Sequence, residues 1–255
     1  MMDEKQFSYP LELGIAMFNG DGALKPDAYQ ALYMQAVEPH LMNIEMDEAR
    51  IMRDFGVAWV LVSMAVEIRR SVRADDKLTA RTWNTTEKTR LLFRRDVVVT
   101  DAQGETVFTV ATFSALLDLN ARRVCTDREL IAKFALPAGE KLMEASDRLR
   151  IKTPTEAPVE VLRVRPSWID GVGHVNNFRY GEMAYDALTD RQRSAMGDLT
   201  RMELFFVSET HLGDEIALHR IEEGASAVVT ATVAGETRPA FTAKLTFRER
   251  EAQAQ

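Results

Sequence analysis

The stretch Trp168-Ile169-Asp170-Gly171-Val172-Gly173-His174-Val175-Asn176-Asn177 gathers a carboxylate, an imidazole and two amides, with two glycines that let the chain turn tightly between them. An imidazole exchanges its proton near neutral pH. Asp170, four residues before His174, is placed to accept a hydrogen bond from the ring and fix its tautomer. The stretch runs into a helical pattern at 176–187. Unpaired N–H groups at a helix start carry partial positive charge, which suits an oxyanion forming on a carbonyl. A second reading uses the same residues without chemistry: a histidine that caps or packs at a helix start, with Asn176 as a plain N-cap.

Few other residues compete. Cys125 is the only cysteine, so no intrachain disulfide and no cysteine zinc cluster can form, and it reads as an inert thiol. His40 follows a proline and reads as structural or exposed. His211 and His219, with Glu209, make a poor zinc pattern, having one carboxylate among them. Gly-x-Ser-x-Gly, P-loop and dinucleotide fingerprints are absent. Composition narrows the class further. The chain has 255 residues, 46% hydrophobic and 28% charged, with a net charge of −7, which describes a globular protein with no need of nucleic-acid phosphates. An acidic, polar beginning and the lack of a long apolar run predict a cytoplasmic protein with no secretory signal and no membrane span. The arginine pairs 69–70, 94–95 and 122–123, with Arg148, Arg150 and Lys152, are candidates for a local basic face.

The elements that must position the loop follow from periodicity. A helix is expected at 26–38, broken by Pro39, and a shorter one at 46–54 ending at Gly56. Val60, Val62, Met64, Val66 and Ile68 alternate with polar positions, predicting a long half-buried strand. Strands follow at 77–86, 91–100 and 106–117, the last two joined by a hairpin at 101–104. Residues 137–160 read as an inter-domain connection. The second half then repeats the first: a strand at 161–165, a helix at 176–187, and strands at 201–208, 214–221, 225–234 and 238–248. Asp76-Lys77-Leu78 matches Asp214-Glu215-Ile216, and Gly104-Glu105-Thr106 matches Gly235-Glu236-Thr237, in the same order. The expected class is α+β: two units, each a long helix wrapped by an antiparallel sheet, joined edge to edge. Met34, Met42, Met46, Met52 and Met64 read as core, or as the lining of an adaptable apolar pocket.

The run Asp170-Gly-Val-Gly-His174-Val-Asn-Asn177, followed by Tyr180, resembles the active-site segment of acyl-ACP thioesterases, Asp-x-Asn-x-His-Val-Asn-Asn-x-x-Tyr. Residues 59–78, 111–123 and Ser208-Glu209-Thr210 with Gly213-Asp214 resemble further family segments, so the similarity covers nearly the whole chain. The resemblance implies a tandem (double) hot-dog fold, with residues 1–136 as an acyl-holding repeat, 137–160 as a linker and 161–255 as the catalytic repeat. It implies Asp170, His174 and Glu209 as catalytic, and Asn176 and Asn177 as substrate-binding. Glu209 is then the base for water, or a direct nucleophile, with N–H groups of 175–177 stabilising the oxyanion. The substrate implied is a fatty acyl group on acyl carrier protein, with no cofactor or metal, no nucleic acid and no membrane, in a monomer or homodimer. An acyl-CoA substrate and a non-hydrolytic acyl-binding protein are the alternatives. The family's asparagine two positions before the histidine is Val172 here, which neither donates nor accepts.

Overall fold

The computed structural model describes residues 8–85, 91–134, 139–149, 157–236 and 238–249. The first half runs β1 (Ser8–Leu11), a 3-10 turn at Ile15–Met17, α1 (Pro26–Asn43), α2 (Glu48–Phe55), β2 (Val57–Ile68), β3 (Leu78–Thr85), β4 (Phe93–Thr100), β5 (Thr106–Asp118), β6 (Arg123–Val124) and α3 (Arg128–Lys133). The second runs β7 (Glu160–Arg163), a 3-10 turn at Pro166–Trp168, α4 (Asn177–Asp186), α5 (Asp190–Ser194), β8 (Leu199–Phe206), β9 (Glu215–Glu223), β10 (Ser226–Val233) and β11 (Pro239–Phe247).

All the strands join one antiparallel sheet in the order β1-β3-β4-β5-β2-β8-β11-β10-β9-β7, with β6 beside β5. Reading outward from the middle, each half has the same order, so the two repeats meet at a single seam. There β2 pairs with β8 from Ser63↔Phe205 to Glu67↔Arg201. The inner face of this sheet is apolar because alternate residues point there: Met64, Val66, Phe108 and Val110 from the first repeat, and Met202, Leu204, Phe241 and Leu245 from the second. Both long helices lie on that face in one continuous core. Helix α1 is covered on one side by the sheet and on another by α4, which explains why Ala28, Tyr29, Leu32, Tyr33, Ala36 and Val37 are all buried. The architecture is a double hot-dog.

Three features differ from the pattern in the sequence. Helix α1 continues through Pro39, which has no N–H to give to the Gln35 carbonyl. It continues because the next turn has buried partners: His40 accepts a 2.6 Å hydrogen bond at Nδ1 from Arg95, and Leu41 packs on the core. His40 is therefore structural and buried, and its pKa is pushed down to about 4, by burial first and by Arg95 second. Next, β2 carries a bulge between Leu61 and Ser63, which reverses the alternation before Met64. Leu61, and not Val60 or Val62, packs on the core. Of the methionines, Met64 and Met34 belong to the core, Met46 packs in a small satellite cluster, and Met42 is exposed.

The third difference concerns the expected connection. Its described part, residues 139–149, is a strap across the outer sheet face. Trp83 Nε1 donates to the Glu140 carbonyl (2.8 Å), Arg94 to Met143 (2.6 Å), Ser63 to Ser146 (2.8 Å) and Arg201 to Glu144 (2.8 Å). Met143 covers Ala65 and Ala111, so the outer side of β2 is buried too. Beneath the strap, Arg94 and Asp96 form a fully buried ion pair at 2.8 Å. The strap spans both repeats, because Arg201 belongs to β8.

Candidate active site

The loop before α4 is built by hydrogen bonds between near neighbours. The Asp170 N–H donates to the His174 carbonyl (2.9 Å), and the Gly173 N–H donates to the Asp170 carbonyl (3.1 Å). Asp170 Oδ1 accepts from the N–H groups of Val172 (2.9 Å) and His174 (3.4 Å). Gly173 sits at φ 91, a left-handed conformation that favours glycine. Asp170 thus holds the loop backbone; the expected hydrogen bond to the imidazole is replaced by two to N–H groups. Asn176 caps α4, its Oδ1 accepting from the Phe178 N–H at 3.0 Å. Asn177 is exposed, and its carbonyl accepts from Gln30 of α1 at 2.9 Å. Two of the three N–H groups expected to face an oxyanion are already used: Val175 donates to the Thr210 carbonyl (3.0 Å) and Asn176 to Trp168 (2.9 Å).

Glu209 arrives from the loop after β8. Its neighbour Thr210 is fully buried and hydrogen-bonded to the Tyr180 hydroxyl at 2.6 Å. Anchoring at Thr210 turns Glu209 outward to the imidazole, and its Oε2 lies 3.1 Å from His174 Nε2. His211 stands beside them, its ring 5.5 Å from that of His174 and its Nε2 4.0 Å from Glu209 Oε2. No group of three His, Cys, Asp or Glu side chains among the described residues is arranged to hold a metal ion.

Two further residues enter from the first repeat. Arg122 follows β5 in a left-handed conformation (φ 51), in a turn where Asp118 Oδ1 accepts from the N–H groups of Asn120 and Ala121. Its guanidinium donates to both Glu209 Oε2 and His174 Nε2, each at 2.6 Å. A guanidinium has only donors, so Nε2 is the accepting nitrogen and Nδ1 carries the ring proton. The His174 pKa is lowered, first by burial and then by the positive charge of Arg122, against the opposing pull of Glu209 and Asp170. The second residue is Glu48, at the start of α2. Burial pushes its carboxyl up to about 7, Asp170 and Asp47 add repulsion, and the Trp59 N–H opposes the shift. The sequence marked Arg122 only as half of an arginine pair, and Glu48 not at all.

The expected basic face does not form from Arg94 and Arg95, which are buried, nor from Arg69 and Arg70. The latter two lie past the far end of β2, where Arg70 is held by Asp76 and Asp101 and Arg69 by Glu67. Arg148 is exposed on the strap, and Arg150 and Lys152 lie outside the described residues. Near the site, Arg123, Arg163 and Arg165 are exposed. The Val164 N–H bonded to the Asp214 carbonyl (2.9 Å) draws the last two beside the Glu209 loop. Cys125 is buried, 7% exposed, in the small cluster with Ile51, Val57, Leu116 and Phe134.

The sequence profile of the acyl-ACP thioesterase N-terminal domain matches residues 4–134, and that of the C-terminal domain matches residues 151–247. The chain belongs to the acyl-ACP thioesterase family. Members of this family hydrolyse the thioester of acyl-ACP. The fold is similar to an acyl-ACP thioesterase from Bacteroides thetaiotaomicron, with a TM-score of 0.82 at 23% identity over 97% of this chain and 100% of the other. It is also similar to a 12:0-ACP thioesterase from Umbellularia californica (TM-score 0.81, 17% identity, 95% and 96% covered). A putative oleoyl thioesterase from Lactobacillus plantarum follows at 0.75 and 18% identity, with 95% and 97% covered. No curated protein matches the sequence. No described helix is long and apolar enough to cross a membrane.

Proposed function

We propose that this thioesterase hydrolyses fatty acyl groups from acyl carrier protein at the meeting point of Glu209 and His174. The 3.1 Å approach of two side chains from separate segments carries the reading. Glu209 takes a proton from water as the water oxygen bonds to the thioester carbonyl carbon. The tetrahedral intermediate then collapses, the C–S bond breaks, and the thiolate recovers the proton. His174, kept neutral, offers a second acceptor beside Glu209 for that proton. Asp170 positions the loop through its backbone. Residues 1–136 are read as the acyl-holding repeat and 161–255 as the catalytic one. The partner is acidic and the chain is too, so docking uses a local positive face, for which Arg123, Arg163 and Arg165 are the exposed cations near the site. The buried thiol of Cys125 fits a reducing cytoplasm.

The test is thiol release from the same acyl group on carrier protein and on coenzyme A. Higher kcat/KM on the carrier, reduced by reversing Arg123 and Arg165 to glutamate, supports the reading. Equal turnover of both, with no effect of the reversals, points to an acyl-CoA enzyme. Saturable acyl binding without thiol release points to a binding protein.

A further inference from the structure

Thioester hydrolysis puts negative charge on the carbonyl oxygen, and the loop before α4 has few donors left to meet it. The N–H groups of Val175 and Asn176 are bonded to Thr210 and Trp168. That of Val172 is bonded to Asp170, and its side chain has no donor. The Asn176 side-chain oxygen is held in capping α4, which leaves its Nδ2 as a donor the loop still offers. Opposite these stands a guanidinium with one nitrogen shared between Glu209 and His174, and with no hydrogen bond from its other nitrogens among the described residues. The Arg122 side chain is 46% exposed and open to solvent. An ion pair this exposed adds little to stability. Yet it is presented from a left-handed backbone position that a non-glycine residue adopts at some expense, in a turn braced by Asp118.

We propose that Arg122 is the electrophilic catalytic residue of the site, reaching from the first repeat to bind the thioester carbonyl oxygen and carry its charge in the tetrahedral intermediate. This rests on the hydrolytic reading above. As water adds to the carbonyl carbon, the π pair moves to oxygen and is met by guanidinium N–H groups. When the pair returns, the C–S bond breaks and Arg122 is released to its resting contacts. In the resting state the same cation holds Glu209 close to His174 and keeps His174 neutral. Arg122 supplies the donor that Val172 lacks.

The experiment measures kcat, KM and pH profile of thiol release from acyl-ACP for the full chain and for Arg122→Ala, Arg122→Lys and Glu209→Gln, with a thermal melt of each. Arg122→Ala is expected to lose a factor of about 10²–10³ in kcat, the scale of one missing oxyanion donor. Arg122→Lys recovers part of it. Free guanidinium, well below denaturing concentration, restores part of the rate to Arg122→Ala and none to Glu209→Gln. The acid limb of the Arg122→Ala profile moves to higher pH, because a charge that lowers the His174 pKa is gone. If Arg122→Ala melts far below the wild type, Arg122→Gln is the variant read. An unchanged kcat overturns the proposal, as does a change confined to KM, which would make Arg122 a carrier contact. A wild type that releases no thiol overturns the hydrolytic reading and this inference with it.

Discussion

The loops before α1 and α4 share one backbone and differ in what they carry. In the first, Asn19 Oδ1 accepts from the N–H groups of Asp21 (3.0 Å) and Ala23 (2.9 Å), as Asp170 does from Val172 and His174. The Asn19 N–H donates to the Ala23 carbonyl (2.8 Å), the Gly22 N–H to Asn19 (3.0 Å), and the Lys25 N–H to Met17 (3.0 Å); each bond has its counterpart in the second loop. Gly22 and Gly173 are both left-handed, and the isolated bridges Phe18↔Leu24 and Ile169↔Val175 close the two loops alike. Ala23 therefore stands where His174 does. Downstream, Asp76 accepts from the Arg73 N–H as Asp214 does from His211, which puts Ser71 in the place of Glu209. The loop conformation is thus independent of the chemistry. One copy has the scaffold alone, and the other has the scaffold with an imidazole and a carboxylate added to it.

The largest effect should come from making the second site like the first. His174→Ala and Glu209→Gln should each lower thiol release by a factor of about 10²–10⁴, with melting temperatures near that of the wild type. A variant retaining most of its rate would show that the reactive pair lies elsewhere. Asp170 gives a finer test. Asp170→Asn installs the residue of the first loop and should stay within a few-fold of wild-type activity, while Asp170→Ala leaves two N–H groups without an acceptor and should lose about 1–3 kcal/mol of stability along with most of the rate. Equal damage from both would mean that the carboxylate charge matters, and the parallel with Asn19 would fail at that position.

The pH dependence follows from the direction of the His174 shift. A lowered pKa means that the folded state favours the neutral ring, so the acid limb of kcat/KM should fall below the ordinary histidine value of about 6.5. The unfolded chain binds that proton more readily, so stability falls as pH drops through this range, and His174→Ala should lose that part of the acid sensitivity. An acid limb above the ordinary value would exclude His174 as the titrating group. The smallest effect concerns the caps. Asn176→Ala should cost about 1 kcal/mol in urea unfolding, and Lys25→Asn, where no side chain caps α1, should gain up to a similar amount. No change from either would mean that tertiary packing alone fixes both helix starts.

What was legible in the sequence was local. The loop around Asp170 is held by bonds spanning two to four residues, so its residue types announce it. The hairpin at 101–104 was visible for the same reason: Asp101 accepts from Gln103 and Glu105, and Gly104 is left-handed. Strand periodicity marked the repeats, and the α+β class followed. What was hidden depends on distant partners. Helix α1 passes Pro39 because of Arg95, 55 residues away from His40. The strap at 139–149 has little periodicity of its own and is fixed by side chains of β2, β3, β4 and β8. Arg122 is marked in sequence by its arginine pair and sits after the Asp118–Asn120 turn, and nothing local says which loop that turn faces. Arg69 and Arg70 carried the right charge for a docking face at the wrong end of a strand.

The contact between α1 and α4 makes the two halves complementary where they meet. Gly181 stands in α4 where Gln30 stands in α1, and the two face each other: a Cβ on Gly181 would lie 2.9 Å from the Asp27 backbone and collide with the Gln30 side chain. Two copies of the first repeat would oppose glutamine to glutamine, and two copies of the second would leave an empty space between glycines. The halves have become a lock and its key. Expressed as separate chains, the halves should pair with each other more tightly than either pairs with itself.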